Sequence, residues 1–191
     1  MAVTTIPTAG IADNAVTAAK ASGLGKVLQV VSTTKTDSFS ATAGGGAGGS
    51  GFVDVTGMSV NITPSSTSSK IYVHTNLNVA TLSGSDYEVS NMINIVRDST
   101  NVFVGTDASG SQTNAGSYTT DHDSDVRNMH NVTSSGLDSP NTTSQVTYKV
   151  QMSQGYNIGG RTIYVNRNAS TGDSYSTVRT ASTITVMEVS A

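Results

Sequence analysis

The sequence predicts an all-β protein, an antiparallel β-sandwich or jelly roll of about eight strands. Three observations predict it. Serine and threonine number 28 each and glycine 19 in 191 residues, a composition that suits strands joined by polar turns. Residues 71–81 alternate apolar and polar side chains, the period of a half-buried strand. No strand–helix–strand alternation occurs, so a parallel sheet covered by helices is not expected.

The elements follow in order. Residues 12–21 read as one short helix, with Asp13 or Asn14 as its N-cap and Gly23 and Gly25 at its end. About ten residues do not hold a helix alone in water, so 1–25 is assigned as an anchor or linker with Ile6, Ile11 and Val16 as its large apolar contacts, and 26–191 as the β-domain. Residues 27–33 are β-branched. The stretch 35–43 is polar apart from Phe39, and 44–51 is almost all glycine, a flexible connection. A strand resumes over 52–62, with Gly57 as a bulge, and 64–69 turn. After 71–81, residues 92–96 and 102–104 flank Asp98-Ser99-Thr100-Asn101 as a hairpin. Residues 107–125 read as one long polar loop, of the length that is usually functional. Strands over 126–133, 146–152, 162–166 and 182–189 complete the set.

Several classes are excluded. Lysine and arginine number only 10 against 13 acidic residues, spread along the chain, so no nucleic-acid partner is expected. No apolar stretch approaches membrane-spanning length, so no membrane insertion is expected. The first residues lack the basic start and apolar run of a signal peptide. The absence of cysteine removes disulfides and thiol chemistry.

The sequence carries no catalytic motif, and the chain reads as a non-enzyme. Gly44, Gly46 and Gly49 match a dinucleotide fingerprint in spacing, but a strand and not a helix follows. Asp121, Asp123 and Asp125 alternate as in a calcium loop, but Val126 stands where such a loop needs glycine and Val132 where it needs a bidentate glutamate. No metal and no cofactor are therefore expected. His74, His122 and His130 read as surface or packing residues. No nucleophile elbow occurs, and nothing marks Glu88 and Glu188 as a carboxylate pair. Tyr87, Tyr118, Tyr156 and Tyr175 fall in or beside polar segments. A flat ring among amides and hydroxyls suits a sugar. The ligand-contacting residues expected are Tyr87, Asp107, Tyr118, Asp121, Asp123 and Tyr175. Phe103 and Met129 are expected at subunit contacts.

Residues 26–40 (KVLQVVSTTKTDSFS), 52–71 (FVDVTGMSVNITPSSTSSKI) and 137–151 (LDSPNTTSQVTYKVQ) resemble a family of tailed-bacteriophage virion proteins, of the tail-fibre and head-decoration type, many from marine and cyanobacterial phages. The segments 163–167 (IYVNR) and 182–189 (STITVMEV) are similar too, and 9–20 (AGIADNAVTAAK) looks like the connectors of such fibres. The resemblance leaves out 82–135. It implies a homotrimeric jelly-roll head held to other virion proteins by residues 1–25. It places the protein on the virion, assembled in the host cytoplasm and exposed on the particle, and it brings no catalytic residue. Two addresses follow from it: a short fibre or knob that contacts a host-surface glycan, or a capsid decoration or head fibre with a stabilising role. A glycan-degrading spike enzyme is a further alternative.

Overall fold

The computed structural model describes residues 26–43, 51–81, 89–121, 127–155 and 161–190. Among them there is no helix, and eleven strands form two antiparallel sheets: β1 (Val27–Lys35), β2 (Phe39–Ala43), β3 (Val53–Ile62), β4 (Lys70–Thr81), β5 (Val89–Arg97), β6 (Thr100–Val102), β7 (Ser117–Asp121), β8 (His130–Asp138), β9 (Val146–Gln154), β10 (Arg161–Val165) and β11 (Ser182–Val189). The helix expected at 12–21, and with it Ile6, Ile11 and Val16, lies outside the described residues.

Three pairs of strands run in line. β1 and β2 share a row beside β11 and β10, and β6 and β7 share a row beside β5. The eleven strands, more than the eight or so expected, therefore make eight rows. In the first sheet the order is β1/β2, β11/β10, β4, β8; in the second it is β3, β9, β5, β6/β7. Successive rows mostly cross from one sheet to the other, and the order is that of a jelly roll.

β4 is legible as a strand because it is central in the first sheet. Its odd residues Ile71, Val73, Leu77 and Val79 are buried, while Tyr72, His74, Asn76 and Asn78 are only partly covered. They meet Val150, Met152, Ile163, Ile184 and Val186 in one apolar core. Gly57, with φ +85°, sits inside the register shift of β3 against β9, the bulge expected there.

Three positions depart from the sequence reading. The expected hairpin turns over Asp98-Ser99 alone, because Thr100 and Asn101 already pair with β5 in β6, which ends at Val102 before Phe103 and Val104. The 107–125 segment contains β7, an edge strand whose residues SYTTD carry no apolar period. The strand expected at 126–133 begins later, at His130, and runs to Asp138.

Polar groups close the sandwich. Arg97 and the Tyr148 hydroxyl both donate to Asp138 Oδ2, at 2.5 and 2.7 Å, joining β5 and β9 to β8 in the other sheet. On the opposite side Thr33 Oγ1 donates to Ser59 O at 2.8 Å and Gln29 Nε2 to Thr63 O at 2.7 Å. Where the composite rows of the first sheet break, the buried Asn166 fills the gap. Its Nδ2 donates to Lys35 O and Asp37 O, and its Oδ1 accepts from Ser182 Oγ. Asn166 has φ +62°, a left-handed conformation that asparagine tolerates better than other side-chain-bearing residues.

Candidate functional site

The long connection between β6 and β7 is a built loop. Val102 is buried at the end of β6, and the chain then turns through Phe103 with φ +58°. That backbone choice, costly for a bulky residue, directs the ring inward. Phe103 is partly buried and packs on the core. Gly105 N donates to Ala115 O at 3.3 Å, closing the neck. Gly116 N donates to Ile93 O and to Asn94 Oδ1, which fastens the loop to β5.

Within the loop, Ala108 N donates to Asn114 Oδ1 at 3.1 Å and Ser109 N donates to Gln112 Oε1 at 2.9 Å. Gly110, with φ +61°, makes the tip. The result is an open hollow of about 450 Å³ lined by Asp107, Gln112, Thr113 and Asn114 among others. The two amide oxygens serve the loop backbone, which leaves their –NH2 groups to donate outward. Asp107 supplies an acceptor. Two donors and a carboxylate in a shallow polar hollow match the hydroxyls of a sugar.

Tyr118 is 60% exposed on β7, two residues past the closing Gly116. Asp107 lies in the loop between β6 and β7 and Tyr118 on β7 itself, and Tyr118 is not among the residues that line the hollow. Asp121 ends the same strand, paired in register with Val89; its side chain, Tyr87 and Asp123 lie outside the described residues. Tyr175 is fully exposed but belongs to the segment that interrupts β10 and β11 in the other sheet. There Asn168 Nδ2 donates to Ser176 O and Thr177 Oγ1 to Ser174 O, pinning the turn that displays it. Gln112 and Asn114 were not singled out from sequence. Asn114 lies in a polar stretch that offers no period, and its role depends on the backbone bond it accepts.

No group of His, Asp and Glu among the described residues is placed to hold a metal ion. Glu188 is fully buried and faces hydroxyls and amides instead of a second carboxylate. Ser65 N, Ser65 Oγ and Gln29 Nε2 donate to it at 2.6–2.7 Å. Burial raises its pKa, but these bonds and one from Ser69 outweigh burial and hold it at about 2.

No family model and no curated protein matches the chain. Solved structures of infectious bursal disease virus are similar to it at low identity. The T13 viral particle is 12% identical with a TM-score of 0.43, over 84% of this chain and 37% of that one. The Gx strain is 14% identical with a TM-score of 0.36, over 85% and 40%. The subviral particle is 12% identical with a TM-score of 0.34, over 86% and 39%. This chain spans less than half the length of each.

Proposed function

We propose that the protein is a non-catalytic structural component of a virus particle, a small trimeric appendage of the tailed-phage kind that its sequence resembles. Residues 1–25 hold it to other virion proteins, and the jelly roll projects from the surface. The observation that carries this reading is the order of the eight rows. Jelly rolls of this order serve as viral capsid and lectin domains, and here the roll is built from phrases like those of phage virion proteins.

The hollow at Asp107, Gln112 and Asn114, together with the exposed Tyr118 on β7, is the surface that meets a neutral host glycan. Single-site binding there is weak, and three copies acting together raise it. Labelling purified particles with gold-conjugated antibody against the recombinant chain tests the reading. Regular labelling at the tail supports the fibre address, and labelling over the shell supports decoration. Particles free of both label and chain peptides overturn the proposal.

A further inference from the structure

The outward face of the first sheet carries an apolar stripe that crosses all four rows. Val30 pairs with Met187, Met187 with Tyr72, and Tyr72 with Leu137. Direct cross-strand partners lie on the same face of a sheet, so these four form one line from the β1 edge to the β8 edge. Its two ends are the most open: Val30 and Leu137 are each 55% exposed. At the β1 end Val27 and Leu28, 57% and 44% exposed, widen it beside Val189. Isolated exposed apolar residues need no partner, but a continuous stripe marks an interaction surface. The line of residues beside it is Ser32, Thr185, His74 and Ser135, with no carboxylate to repel a like surface.

We infer that a second copy of this chain covers the stripe, with the Leu137 end of one copy against the Val27–Leu28–Val30 end of the next. The inference rests on the trimeric-appendage reading and names the face that makes the trimer. The place where residues 1–25 join the domain supports it. Lys26 is pinned at the β1 end of the stripe, its carbonyl accepting from Ser190 N at 2.9 Å and its amide donating to Ser190 Oγ at 3.1 Å. If three copies attach through their first 25 residues to one point, the surfaces beside those exits are brought together. Contact between two different ends of one stripe is head-to-tail, and it closes into a ring under threefold rotation.

The cysteine-free sequence makes the test clean. Within one chain residues 30 and 137 are three strand spacings apart, about 14 Å, whereas a disulfide needs Cα atoms within about 7 Å. Only a bond between copies can form. Full-length Val30→Cys/Leu137→Cys, oxidised at micromolar concentration, is expected to yield a covalent trimer on a non-reducing gel, while either single variant stays uncross-linked. Val30→Asp with Leu137→Asp is expected to reduce the mass in light scattering from three times 19.5 kDa to 19.5 kDa with an unchanged β circular-dichroism spectrum. A trimeric wild type whose double-cysteine variant does not cross-link and whose double-aspartate variant stays trimeric places the contact elsewhere and overturns the inference alone. Cross-linked dimers from a single variant overturn the head-to-tail arrangement. A monomeric wild type overturns the trimeric reading with it.

Discussion

The ring of Phe103 lies against the backbone of Gly136: a Cβ added to Gly136 would stand 2.5 Å from Phe103 Cδ1 and 2.9 Å from its Cγ. Gly136 is in β8, the edge of the first sheet, and Phe103 follows β6, the edge of the second. The ring therefore plugs the open side of the sandwich above the Arg97–Asp138–Tyr148 bonds, and only glycine leaves it room.

Gly136→Ala is expected to destabilise the domain by about 1–3 kcal/mol, the range for overpacking a core. Phe103→Ala leaves a void and costs about 3 kcal/mol. In the double variant the alanine methyl occupies space the ring has left, so the cost falls below the sum of the two. Urea titrations of the four proteins measure this coupling, and strict additivity refutes the contact.

Glu188 makes stability depend on acid. Its folded-state pKa is lowered from 4.5 to about 2, so its contribution is present in full above pH 4.5 and is lost as pH falls toward 2. Glu188→Gln replaces one acceptor oxygen with a donor facing Ser65 or Gln29. A cost of about 1–3 kcal/mol at pH 7 is expected for the unsatisfied group. Denaturation midpoints followed from pH 5 to pH 2 should fall less steeply in the variant than in the wild type. Parallel slopes would show that the carboxylate is not held by those bonds.

Asn166 joins two row breaks through three side-chain hydrogen bonds. Asn166→Ala removes the partner of one buried carbonyl (Lys35), one part-buried carbonyl (Asp37) and one hydroxyl (Ser182), and keeps a β-carbon at φ +62°. A loss of about 3 kcal/mol is expected. Asn166→Gly loses the same bonds without the left-handed penalty and should be the more stable of the two by about 1 kcal/mol. Thermal melts give the order, and an equal loss for both removes the conformational part of the account.

These three sites separate what sequence shows from what it hides. β4 and β11 were legible because each buries one face, so apolar residues alternate along them. β5 is expected only over 92–96 and runs from Val89 to Arg97; it is covered on both faces from Ser90 to Val96, so its first residues, Val, Ser and Asn, show no period that would extend it. β7 is a polar edge strand and reads as loop. Asp107 and Tyr118 are singled out from residue type alone. Their neighbours Gln112 and Asn114 owe their places to backbone bonds that no local pattern encodes. Glu188 meets Ser65 and Gln29 across more than 120 residues, a pairing set only by strand order.

Alanine at Asp107, Asn114 and Tyr118 touches exposed side chains. Each is expected to change stability by no more than about 0.5 kcal/mol, while particles carrying the triple variant adsorb to host cells more slowly. Tyr175→Ala, in the other sheet, is the comparison and should leave adsorption unchanged. Equal adsorption by all variants assigns the protein a stabilising role in place of host contact.

The most direct test of the central claim is a cryo-electron-microscopy map of the virus particle whose genome encodes the chain. A surface knob into which three jelly rolls fit is expected, with the Val30–Met187–Tyr72–Leu137 faces turned toward the threefold axis and residues 1–25 leading into the particle. A particle whose density is fully assigned to other proteins, from preparations that lack this chain, would contradict it.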